Sequence, residues 1–227
     1  ASFVAELMVQ TGERMGKSMV ALITDMDQPL GRKIGNSLEV IEVLDVLRGE
    51  GPEDLRELCL ELAGWMFHLG KVSKSVEIGK KLAAEQIQSG KALEKFRQMV
   101  ELQGGDPHSL DDVKKLPQAK HTLVLTSPRA GYVSRMECEA FGTACVVLGG
   151  GRSKKEDTVD PAVGIVLHRK VGDSVSKDDA LCTIHYNSQV LADQAKEILL
   201  GSFIYSDTSP SEHRPLIHKV IRSSGGN

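Results

Sequence analysis

The sequence predicts an α/β layer followed by a small β-rich α+β domain, and three observations carry that expectation. Over residues 1–47 a helical apolar pattern gives way to a short apolar run, a Pro–Gly turn and a second helical pattern. Residues 53–102 repeat the helical period in longer stretches. Beyond the polar stretch Gly104–Pro117 the pattern changes to short apolar runs separated by glycine and proline turns. The expected domains are therefore 1–105, a partial α/β domain, a linker at 106–117, and a β-rich domain at 118–227.

Phe3, Val4, Leu7, Met8 and Met15 lie at helical spacing and end near Gly16. Met19–Thr24 reads as a buried strand that ends in Asp25 and Asp27 and turns at Pro29-Leu30-Gly31. Such an alternation implies an α/β layer with at least one parallel strand missing upstream. Asn36, with Glu39 three residues on, has capping-box spacing for a helix to about Leu47. Gly51-Pro52-Glu53-Asp54 starts another helix, because proline fits the first turn and acids favour the positive end of the dipole. Its stripe of Leu55, Leu58, Leu62, Trp65, Met66 and Leu69 reads as a core face, and further helices follow at Leu82–Ile87 and Leu93–Leu102. In the second domain, strands are expected at His121–Thr126, Gly131–Met136, Ala144–Leu148, Val163–His168 and Ala180–His185. A helix at Ala192–Leu200, a strand at Leu216–Ile221 and a frayed Ser223–Asn227 complete the chain.

A chain of 227 residues holds one or two domains. A formal charge of −3 gives no electrostatic reason for a nucleic-acid or anionic-membrane partner. Aromatic residues are 4%, too few for several base-stacking platforms. Cys59, Cys138, Cys145 and Cys182 lack CxxC spacing and sit among apolar residues, which reads as four buried thiols in a reducing cytosol. No apolar run reaches the roughly 20 residues that span a bilayer, and no signal-peptide pattern opens the chain. Ala1 already lies inside a helical pattern, so the sequence reads as a fragment.

Several features bear chemistry. Asp25 and Asp27 could orient a cation or a hydroxyl, or simply cap turn amides. Glu42 lies on an apolar helix, where it either completes a hard-cation site with carbonyls of the Leu30–Lys33 turn or joins a solvated face with Glu39 and Asp45. Gly149–Lys155, with Arg152, Lys154 and Lys155, reads either as an anion loop or as a solvated surface loop, and it does not match GxxxxGK[ST]. Val171–Ile184 resembles the VGDxVxxGxxLxxI half of biotinyl and lipoyl carriers. Ile184 is followed by His185-Tyr186-Asn187 with no acceptor lysine, which leaves a barrel-sandwich hairpin and no swinging arm. The seven histidines make no HxxxH pair, and no nucleophile–His–acid arrangement is evident.

Taken in order, TDMDQPLG (24–31), GNSLEV (35–40), the helical middle, GYV (131–133), GGGRSKKEDTVDPAVGIVLH (149–168) and VGDSV (171–175) are specific as a set. The whole chain resembles the carboxyl-terminal half of bacterial pyrimidine-nucleoside and thymidine phosphorylases. That resemblance implies a cytoplasmic homodimeric pentosyltransferase of nucleoside salvage, built from an α-helical and a larger α/β domain. It would convert a pyrimidine nucleoside and the co-substrate phosphate to free base and pentose 1-phosphate, with no organic cofactor. The reaction is mostly positioning around an oxocarbenium-like state, with water excluded. The family's phosphate cradle includes a KHS segment, and its base clamp an SxxSKK segment. Neither occurs in this chain, so no catalytic or substrate-binding residue carries over, and the chain alone is expected to be inactive. A monovalent cation, K+, is implied at the carbonyls of Leu30 and Lys33 and the carboxylate of Glu42. The Gly149–Asp157 loop is expected to close over the cleft through Arg152 and Lys155. A non-catalytic scaffold module and an AMP or other nucleotide phosphorylase are the rival readings.

Overall fold

A computed structural model describes residues 1–210 and 215–222. In chain order the elements begin α1 (Ser2–Arg14), β1 (Val20–Thr24), β2 (Lys33–Ile34), α2 (Asn36–Leu47), α3 (Glu53–Leu69), α4 (Val76–Gln88) and α5 (Lys91–Leu102). After two 3-10 turns come β3 (His121–Thr126), β4 (Gly131–Met136), α6 (Cys138–Leu148), β5 (Gly164–Leu167) and β6 (Ser174–Val175). The last are β7 (Ala180–Tyr186), α7 (Gln189–Leu200), β8 (Phe203–Ser206) and β9 (Ile217–Arg222). The expected mixed α/β class is what the chain forms. Its described residues gather into two compact units that interleave along the sequence, one of 1–25, 53–92 and 215–222, the other of 26–52 and 93–210.

In the first unit β1 pairs antiparallel with β9, from Val20 opposite Arg222 to Thr24 opposite Ile217. The parallel neighbour expected for β1 is not present among the described residues. Ala5, Val9 and Ile221 form a small buried cluster with Met19, Ala21 and Ile23 against it. The remaining large apolar residues of α1 and its C-cap do not join it: Phe3, Val4, Leu7, Met8 and the C-cap Met15 are exposed. In α3 only Gly64 and Trp65 are buried, while Leu62, Met66 and Leu69 are exposed, so its stripe is not the core face the spacing predicts. Trp65 is held by Glu61, which accepts from its indole N–H at 3.0 Å, and by the Arg222 guanidinium 4.5 Å above its ring.

The second unit has the larger core. A four-stranded antiparallel sheet in the order β2-β5-β7-β3 and a three-stranded sheet in the order β6-β4-β8 enclose it with α6 and α7. Leu125, Val133, Phe141, Ile165, Ile184 and Leu199 are fully buried there. Phe141 meets Phe203 edge to face at 5.4 Å. The expected strand at Ala144–Leu148 is instead the end of α6. Phe141, Ala144, Cys145 and Leu148 are buried at spacing i, i+3, i+4 and i+7, a helical face that outweighs the β-branched pair Val146-Val147. The short strands β2, β6 and β8 were not expected, and α7 begins three residues before the predicted start. Of the cysteines, Cys145 and Cys182 are buried, Cys138 is half-buried and Cys59 is exposed, which corrects the expectation of four buried thiols. Burial pushes the Cys182 thiol up to about 12. The segment Ser223–Asn227, expected to fray, lies outside the described residues.

His185 on β7 supplies a pH prediction. Burial, and then the charge of nearby His168, pushes its imidazole below the ordinary 6.5. His168 is lowered too, by burial and by Arg32 and Arg169. Protonation therefore favours the unfolded chain. Stability is complete above about pH 6.5 and is lost as pH falls from there towards the folded-state values. The carboxyls of Asp111, Asp179 and Glu77 are held below their usual range, so their contributions are lost only at more acid pH. A lower urea midpoint at pH 5.5 than at 7.5 is expected, with a smaller difference in His185→Gln. An unchanged difference in that variant would remove His185 as the cause.

Candidate functional site

Three expected site residues, Leu30, Lys33 and Glu42, fall within the second unit. The Leu30 side chain is exposed. Lys33 begins β2 and lies opposite Val166 of β5. The Arg32 carbonyl accepts from Leu167 N–H at 2.7 Å, which ties the turn to the end of β5. The Lys33 N–H reaches Glu42 Oε2 of α2 at 3.3 Å. The Lys33 ammonium turns instead to Asp45 Oδ2 at 2.7 Å.

Glu42 is only 4% exposed, so it is not on the solvated face that its sequence neighbours Glu39 and Asp45 allowed. Its carboxylate accepts the Arg32 N–H at 2.9 Å through Oε1 and 3.2 Å through Oε2. Gly31, at φ +67°, makes this approach possible, since a Cβ there would stand 2.2 Å from Glu42 Oε2. The turn is also tied to the segment after β5. Val171 N–H donates to Gln28 Oε1 at 3.1 Å, Arg32 Nη1 to the His168 carbonyl at 3.1 Å, and Lys170 Nζ to the Gly31 carbonyl at 3.0 Å. An open depression of about 470 Å³ lies here, lined by Arg32, Lys33, Glu42, Asp45 and His168 among others.

The start of α2 differs from the expected Asn36 cap. Gly35 is the N-cap, Glu39 accepts its N–H at 3.1 Å, and Asn36 is already helical, donating its side-chain amide to the Gly150 carbonyl at 3.2 Å. As it stands, the Glu42 carboxylate accepts the main-chain N–H groups of Arg32 and Lys33. Among the described residues no group of three His, Cys, Asp or Glu side chains gathers to hold a metal. Lys170 was not foreseen. It lies 139 residues from Gly31, and no local spacing signals the contact.

The other candidates resolve differently. Asp25 Oδ1 lies 3.7 Å from His218 Nε2 in the first unit, while Asp27 falls in the second unit and is exposed. In the Gly149–Lys155 loop, the N–H groups of Ser153 and Lys154 donate to Asp157 Oδ2 at 2.9 and 2.8 Å. These two amides thus hold the chain's own carboxylate, and Arg152, Lys154 and Lys155 are exposed, as in the surface-loop reading.

Comparison with known proteins bears on the whole chain. Residues 1–93 match the glycosyl transferase family a/b domain, and residues 132–205 match the pyrimidine nucleoside phosphorylase C-terminal domain. A pyrimidine-nucleoside phosphorylase of Geobacillus stearothermophilus is 44% identical over 221 residues, which is 97% of this chain and 51% of that protein. One from Staphylococcus aureus strain USA300 is 43% identical over 223 residues, 97% of this chain and 50% of that protein. The chain spans about half the length of these relatives. Both domain matches and an alignment covering 97% of the chain agree with the ordered motifs: the chain belongs to the pyrimidine-nucleoside phosphorylase family.

Proposed function

We propose that this chain forms part of a homodimeric enzyme that cleaves pyrimidine nucleosides with phosphate, releasing the base and a pentose 1-phosphate. The observation that carries this reading is the 44% identity to a pyrimidine-nucleoside phosphorylase along 97% of the chain. The contribution of these residues is to support a closing cleft. The Glu42 turn would hold a monovalent cation, K+, through the Leu30 and Lys33 carbonyls and the Glu42 carboxylate. That ion would supply a fixed positive charge cross-linking the turn to α2. The donor set fits a weakly hydrated monovalent ion, because a single carboxylate with neutral carbonyls supplies little negative charge for a divalent one. No KHS or SxxSKK segment occurs in the 227 residues, so the chain alone carries no substrate clamp.

The test is a chimera in which this chain replaces the matching half of the Geobacillus stearothermophilus protein. The chimera is expected to release uracil from uridine in phosphate buffer, and the 227-residue chain alone is expected to release none. Turnover by the chain alone would overturn the proposed division of the site. A folded chimera without phosphate-dependent turnover would overturn the activity.

A further inference from the structure

Gly31 is where two opposite charges converge. Its carbonyl accepts the Lys170 ammonium at 3.0 Å, and a Cβ built on it would lie 2.2 Å from Glu42 Oε2. Two other cations of the turn are directed elsewhere, Lys33 to Asp45 at 2.7 Å and the Arg32 guanidinium to the His168 carbonyl at 3.1 Å. Lys170 is anchored for this reach. Its own N–H donates to Asp173 Oδ2 at 2.8 Å, and the next residue, Val171, donates its N–H to Gln28 of the same turn. The ammonium is thus a tethered monovalent cation held on a main-chain oxygen beside the buried carboxylate.

We infer that the Lys170 ammonium competes with a free monovalent cation for the Gly31–Glu42 turn and so sets the K+ concentration at which the turn loads. An ammonium and K+ carry the same charge, so each weakens the other where both lie against the same turn. The inference rests on the cation reading above. It adds a residue that supplies no ligand oxygen and acts on the site through its charge.

The experiment follows the thermal midpoint of the 227-residue chain across a K+ series, with choline chloride holding ionic strength constant. Lys170→Met and Lys170→Gln are expected to reach half their K+-dependent rise at a concentration at least tenfold below that of the parent. Lys170→Arg, which keeps the charge, is expected to follow the parent. Should the methionine variant fail to fold, the glutamine variant gives the same reading with a polar side chain. Equal or higher half-rise concentrations in the neutral variants would overturn the competition and leave the cation reading standing. An absence of K+ response in every chain would overturn both.

Discussion

Gly35→Ala is expected to destabilise the second unit by roughly 3–5 kcal/mol, the sum of a strained backbone and an overpacked contact. Gly35 adopts φ +126° at the start of α2, and a Cβ there would lie 2.4 Å from the Val163 carbonyl oxygen and 2.9 Å from Gly164 Cα. Both neighbours are backbone, so no side chain can swing aside. Gly164 presses back the same way, since its own Cβ would meet the Ile34 carbonyl at 2.2 Å. The Ser37 N–H donates to the Pro161 carbonyl at 3.1 Å and closes the contact. Relief therefore means lifting α2 from β5, which moves Glu42 two turns further along the helix. Gly49→Ala is the matched control: Gly49 has φ +87° with nothing within 4 Å of an added methyl, and should cost only about 1–2 kcal/mol of left-handed strain. Urea unfolding of both variants decides the matter, and costs within about 1 kcal/mol of each other would remove the close approach as the reason for the glycine.

The sequence was most legible where one local rule governed a segment. The start of α3 at Gly51-Pro52-Glu53-Asp54 follows from proline geometry and the helix dipole, and needs no distant partner. Strands β3, β4, β5 and β7 followed from short apolar runs between turns, because each contributes residues to a single core. Legibility ended where distant segments decide. β2 is two residues long and exists only because β5 pairs with it. Asn36 and Glu39 have the spacing of a capping box, yet the close approach to Val163 and Gly164 makes Gly35 the cap. In the first unit the stripes on α1 and α3 gave the helices correctly and their burial wrongly, since an apolar period says that a face can be covered, not that the described residues cover it. For Glu42 the sequence offered a cation site or a solvated face, and its burial removes the solvated face. The contact from Lys170 could not be read from any spacing, because it depends on how the segment after β5 returns to the turn.

Removing the Glu42 carboxylate is expected to cost roughly 2–4 kcal/mol in Glu42→Ala, since the N–H groups of Arg32 and Lys33 lose an acceptor in a partly buried turn. The side chain is 4% exposed, so water cannot simply take its place without opening the contact between the turn and α2. Glu42→Gln separates acceptor from charge. Its amide oxygen can still receive one of the two donors while its NH2 group faces the other, so roughly half the alanine cost is expected. Measured by urea unfolding in choline chloride without K+, both values report the scaffold apart from any bound ion. Hydrogen exchange localises the effect. Faster exchange at Arg32 and Lys33, with Leu167 less affected, would place the loss at the carboxylate, because Leu167 N–H bonds the Arg32 carbonyl. Uniform acceleration across all three would mean that Glu42 holds the whole β2–β5 pair in place. A glutamine variant as unstable as the alanine one would show that the charge, and not the acceptor, secures the turn, and a Glu42→Ala cost below about 0.5 kcal/mol would remove the carboxylate from the scaffold altogether.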